Sequence, residues 1–156
     1  MKKLVIVLCA ALVPLITVAA QSKIEKQMEK RAINPWQWQN ERNYVQALEV
    51  KNVEGTLYVS GQTAINADGK SSTANMESQL TETIKNLEKV ITEAGYKSKN
   101  IVRLNIYTTS SSELFANFGI LQNWIIQNGI KQASTVLEVS TLFETLKVEL
   151  EATVVK

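Results

Sequence analysis

The residues able to do chemistry are carboxylates and hydroxyls. The chain contains no histidine, and its one cysteine, Cys9, lies within the first twenty residues. A Cys/His zinc site, a Ser-His-Asp triad and histidine general-base chemistry are therefore excluded. The six glycines are scattered and none opens a helix in a phosphate-binding pattern,. The most suggestive run is "VELEATVV" near the C-terminus. There Glu149, Glu151 and Thr153 alternate with Val148, Leu150, Ala152 and Val154. In an extended strand that spacing puts the carboxylates on one face and the apolar residues on the other.

The elements that must position these groups follow from periodicity. "YVQALEVKN" and "TLYVSGQTA" are β-rich runs around an Asn52–Gly55 turn and predict an antiparallel hairpin,. "NADGKSS" is a polar loop with a turn at Asp68-Gly69,. Met76, Leu80, Ile84, Leu87, Ile91 and Ala94 form one stripe of an amphipathic helix, followed by Gly95,. "NIVRLNIYTTS" predicts a strand, with Val102, Leu104 and Ile106 on one face and Arg103, Asn105 and Tyr107 on the other. Residues 113–127 predict a second helix with Leu114, Phe118, Leu121 and Ile125 inward. "ASTVLEVS" and "LKVELEATVV" complete the set. The order ββαβαββ predicts an α+β domain, a single sheet with both helices on one face. The other face then carries carboxylates among residues such as Tyr58 and Tyr107.

The N-terminal part reads differently. Lys2 and Lys3, an apolar run from Leu4 to Val18, and Val18-Ala19-Ala20 have the order of a secretory signal cleaved between Ala20 and Gln21, which predicts an exported, periplasmic protein,. The apolar run is short for a membrane span. Without residues 1–20 the 17 basic residues lose Lys2 and Lys3 and balance the 15 acidic ones. A neutral chain lacks the footprint of a nucleic-acid binder, which weighs against ribonuclease activity. Residues 21–43 form an extension that reads as a short amphipathic helix ended by Pro35 or as a solvated linker,. Trp36 and Trp38 follow in a segment expected to be extended, their rings on one side.

From Tyr44 onward the chain resembles the Rid family, the YjgF-type reactive-intermediate deaminases also called L-PSP endoribonucleases. The resemblance is carried by "YVQAL", "LYVSGQ", "QLTETIKNLEKVITEAG", "NIVRLNIYTT" and "VELEA", in that order. It implies a chorismate-mutase-like fold over residues 44–156 and a homotrimer with small-molecule clefts between subunits. It also implies cofactor-free, metal-free hydrolysis of enamines or imines. Onto this sequence it carries Tyr44 as a cleft tyrosine, Ser60 and Gly61 as cleft backbone, and Glu149 as the acid that holds the attacking water. Three places depart from the pattern: Arg42-Asn43 precedes Tyr44 where the family usually has Gly-Pro, Ser134 stands where the family has a substrate-binding arginine, and Gly119 where many members have asparagine.

A guanidinium grips a carboxylate through two charge-assisted hydrogen bonds, and a serine is too short to replace it. At roughly 1.5–3 kcal/mol for each such bond, its loss predicts binding weaker by about tenfold to a thousandfold. The usual carboxylate-bearing substrates are therefore disfavoured unless Lys131 or Arg42 reaches the cleft instead. Two functions remain open, an imine hydrolase acting on other substrates and a trimeric binding or structural protein without chemistry.

Overall fold

The computed structural model describes residues 27–156, so the signal segment expected over residues 1–20 lies outside the described residues. Nine strands and helices follow in order: β1 (Glu29–Ile33), β2 (Ala47–Lys51), β3 (Thr56–Gln62), α1 (Met76–Glu93), β4 (Ile101–Thr108), α2 (Ser111–Ala116), α3 (Phe118–Gln127), β5 (Ala133–Glu138) and β6 (Val148–Val155). The fold is α+β. A four-stranded sheet has the order β3-β6-β4-β5, with β4 and β5 parallel and the other neighbours antiparallel.

The apolar stripe of α1 builds the core. Met76, Leu80, Ile84, Leu87 and Ile91 are buried with Leu104, Ile106, Val148, Leu150, Ala152 and Val154 from the sheet, and with Leu121 and Ile125 from α3. The carboxamide of Asn75 caps α1 by accepting the Ser78 N–H at 3.0 Å. At the other end Gly95, at φ 75°, takes the left-handed conformation that lets the Tyr96 N–H return to the Ile91 carbonyl at 3.0 Å,. Ala94, expected to close the stripe, is instead exposed at the helix end. The Trp124 indole donates to Glu88 at 2.7 Å and ties α3 to α1. The second helix is broken in two: Asn117, at φ −110 and ψ 7, leaves the helical region, and its side chain donates to the Glu113 carbonyl at 2.9 Å.

Two expectations are overturned. β2 and β3 do not form a hairpin. Val45 bridges Ala133, its N–H donating to Gln132 at 3.0 Å, so the chain enters β2 beside β5. β3 instead starts beside the end of β6, where the Gly55 N–H donates to the Lys156 carbonyl at 2.9 Å. Because β5 and β3 are opposite edges of the sheet, residues 46–55, β2 among them, carry the chain from one edge to the other. The segment before Pro35 contains a strand, not a helix. β1 pairs with β2 in a separate two-stranded ribbon, where Arg31 meets Glu49 at 2.8 Å directly across the ladder. The following residues, including Trp36 and Trp38, run through bends and a short 3₁₀ turn at Asn40–Arg42 rather than extended.

Candidate functional site

The sheet displays two sets of candidate residues on opposite faces. On the face away from the helices, β6 presents Glu149 and Glu151, and β4 presents Arg103, Asn105 and Tyr107. Tyr107 lies opposite Glu149 in the ladder, and Asn105 opposite Glu151. Glu151 is held: its Oε2 accepts from the Tyr107 hydroxyl at 2.9 Å and from Asn105 Nδ2 at 3.3 Å. Arg103 completes the network, donating to Asn105 Oδ1 at 2.8 Å and to Thr135 Oγ1 at 2.6 Å.

Glu149 is different. It is half-buried, and no described residue donates a hydrogen bond to it. Burial, and secondly the neighbouring Glu151 charge, push its carboxyl above the ordinary carboxylate range,. Tyr107 is likewise raised, chiefly because its hydroxyl is committed to Glu151.

β3 carries Ser60 and Gly61 to the same place. The β3–β6 register slips between Val59, opposite Ala152, and Gln62, opposite Leu150. This bulge makes Ser60 and Gly61 the unpaired residues of the strand. The Glu149 carboxyl lies directly over Gly61, and a methyl group there would overlap it. Glycine is required for that approach, which couples two residues that the sequence listed independently.

The other set surrounds a cavity of about 320 Å³ between the β5 edge and α3. Ser134 and Val136 line it from β5, beside Leu104 and Ile106 of β4 in register. Phe115, Phe118, Leu121 and Ile125 form an apolar wall, while Tyr44 and Arg42 border it from the turn before β2. Tyr44 is positioned by the Val45–Ala133 bridge and by Gln132 Nε2, which donates to the Asn43 carbonyl at 3.0 Å. Ser134 Oγ and Gln132 Oε1 are buried without hydrogen-bond partners among the described residues.

Of the six residues singled out in the sequence, the structure therefore brings together Ser60, Gly61 and Glu149 on one face, and Tyr44 and Ser134 on the other. Gly119 joins neither; it is exposed on α3 and does not line the cavity. Lys131 borders a separate groove, so only Arg42 of the two alternative cations reaches the Ser134 cavity. Of the apolar wall, the sequence pointed to Phe118, Leu121 and Ile125 as inward and missed Phe115. Phe115 falls beside the inward stripe of its helix and packs on Phe118 at 5.6 Å between ring centroids. An aromatic residue placed off the buried stripe was the available signal.

Residues 37–156 match the family model described as Endoribonuclease L-PSP. A RutC family protein of Aquifex aeolicus is 31% identical over 113 residues, which cover 72% of this chain and 88% of its own. Among solved structures, YyfB of Yersinia pestis, a protein of unknown function of the conserved Rid family, aligns with TM-score 0.73 and 26% identity over 81% of this chain and 98% of its own. YyfA from the same organism, likewise a Rid protein of unknown function, aligns with TM-score 0.61 and 26% identity over 82% and 100%. With the bulged β3, the two-carboxylate β6 and the β5-edge cavity all in the matched region, this chain belongs to the Rid (YjgF, L-PSP) family.

Proposed function

We propose that this is an exported Rid-family protein whose clefts form between subunits of a homotrimer, bind a small molecule and hydrolyse an imine or enamine-derived C=N bond. The observation that carries the reading is the state of Glu149. It is a half-buried carboxylate without a donor among the described residues, seated against Gly61 where a bulge opens the backbone. Such a group can accept a proton from water and orient the oxygen for attack. Water adds to the imine carbon as the C=N π-electrons take up a proton at nitrogen. The resulting carbinolamine loses its C–N bond, releasing ammonia and leaving a carbonyl.

The two residue sets support a shared cleft. Within one chain they lie on opposite faces of the sheet, so they serve one ligand only where the Glu149 face of one subunit meets the Ser134 cavity of another. Ser134 supplies no cation from the strand, so a carboxylate-bearing substrate lacks the arginine clamp that the resemblance implies. That absence favours the second reading, a trimer that binds its ligand without turning it over. Ammonia release from a panel of small imines separates the two. Wild-type protein is expected to accelerate release, and Glu149→Gln to lose at least about a hundredfold of that rate, the scale of general-base catalysis. Wild-type release no faster than buffer would leave the binding reading.

A further inference from the structure

We propose that Arg42 is the specificity-determining residue of the cleft: it reads the carboxylate of a small organic acid with an apolar body, from the turn before β2 rather than from β5. The proposal rests on the inter-subunit cleft described above and names the ligand class that this cleft takes.

Arg42 borders the same cavity as Ser134. Its guanidinium carbon lies 5.3 Å from the centre of the Trp38 ring. That ring meets Tyr44 edge-on, with centroids 6.5 Å apart at 63°, and Tyr44 itself lines the cavity. A cation on an aromatic face is held without neutralising its charge, and its planar donors remain free for a carboxylate. The ion pairs among the described residues are Arg31–Glu49, Lys51–Glu49 and Lys147–Glu113, none of which involves Arg42. Among the described residues no carboxylate lines the cavity. Its polar rim therefore has one formal charge, a positive one.

The remaining lining defines the rest of the ligand. Tyr44, Gln122, Gln132 and Ser134 add polar lining, which suits polar atoms next to the carboxylate, such as a carbonyl oxygen or an N–H. Phe118, Leu121, Ile125 and Val136 offer only hydrocarbon, which fits a branched aliphatic or aromatic body. The guanidinium missing at position 134 is thus replaced by one at position 42, where the resemblance leads one to expect glycine.

Calorimetry on the assembled protein tests this with four probes: 4-methyl-2-oxopentanoate, phenylpyruvate and their neutral amides. The acids are expected to bind at least about tenfold more tightly than the amides, the worth of one charge-assisted hydrogen bond. Arg42→Gln should erase that preference by weakening acid binding at least about tenfold more than amide binding, and Arg42→Lys should keep part of it. Ser134→Arg in the Arg42→Gln background should restore it by placing the cation on the strand. Equal affinity for acid and amide in the wild type, no binding of any probe at millimolar concentration, or an acid preference that survives Arg42→Gln would overturn the proposal. Glu149→Gln protein should keep the acid preference. Loss of ammonia release in that variant with the preference intact, or absence of turnover in the wild type, bears on the hydrolase reading alone.

Discussion

At the scale of single residues, Glu149 and Glu151 are chemically alike and placed differently. Glu151 is satisfied by Tyr107 and Asn105, whereas Glu149 has no donor among the described residues and is raised by burial and by Glu151. Removing the Glu151 charge takes away the second of these causes. Glu151→Gln should therefore move the Glu149 titration to lower pH without returning it to the ordinary range, because burial remains. Carbon-detected NMR of the side-chain carboxyl measures this, and an unmoved titration would disprove the coupling. The stability consequence has a definite sign. A carboxyl whose folded-state pKa is raised binds more protons in the native state, so its contribution falls as pH rises from the unfolded value through the folded one. Glu149→Gln should accordingly melt no lower than wild type at neutral pH, which separates a loss of chemistry from a loss of fold. Gly61→Ala should also lose activity, because the added methyl must drive the Glu149 carboxyl away.

Among the elements, the register of β6 decides where Glu149 sits, and a buried glutamine on α1 secures it. Gln79 is completely buried. Its Nε2 donates to the carbonyls of Ser72, Ala74 and Thr145 at 3.3, 3.0 and 3.1 Å, and its Oε1 accepts the Lys147 N–H at 2.9 Å. One side chain thus joins the loop before α1 to the loop before β6. Gln79→Leu has a similar volume but leaves several backbone groups unmatched, at about 1–3 kcal/mol for a buried group left unsatisfied. A loss of about 3 kcal/mol is expected, which for a domain of this size lowers the melting temperature by roughly 6–12 °C. Thermal unfolding followed by circular dichroism checks it, and a shift below about 2 °C would contradict the assigned role.

The whole molecule has a sheet with one face on the helices and another that is polar, carrying Arg103, Tyr107, Glu149 and Glu151, with Tyr58 80% exposed beside them. A homotrimer that closes this face against sister subunits would bring each Glu149 to a Ser134 cavity. Protein recovered from a periplasmic extract should have an intact mass that begins at Gln21, and light scattering should give about three times the protomer mass. Full-length chain confined to the cytosol would end the export proposal, and a monomer at micromolar concentration would remove the shared cleft.

What the sequence determined by itself was whatever repeats at short range. The alternation in β4 and β6 assigned Arg103, Asn105, Tyr107, Glu149 and Glu151 to one face, and the three-and-four spacing of α1 assigned five buried residues, because side-chain direction follows directly from backbone period. Ser134 was visible as a substitution only through the family resemblance. The tertiary structure decided what depends on which strand lies beside which. A turn between two β-rich runs is a local signal, and the edge that each strand joins is settled by distant hydrogen bonds: Val45 to Gln132 on one side and Gly55 to Lys156 on the other. The same long-range placement turned the segment before Pro35 into a strand on β2. It also put Arg42 at the rim of the Ser134 cavity and laid the Glu149 carboxyl over Gly61. These pairs are far apart in the chain, and no local preference of either member encodes their meeting.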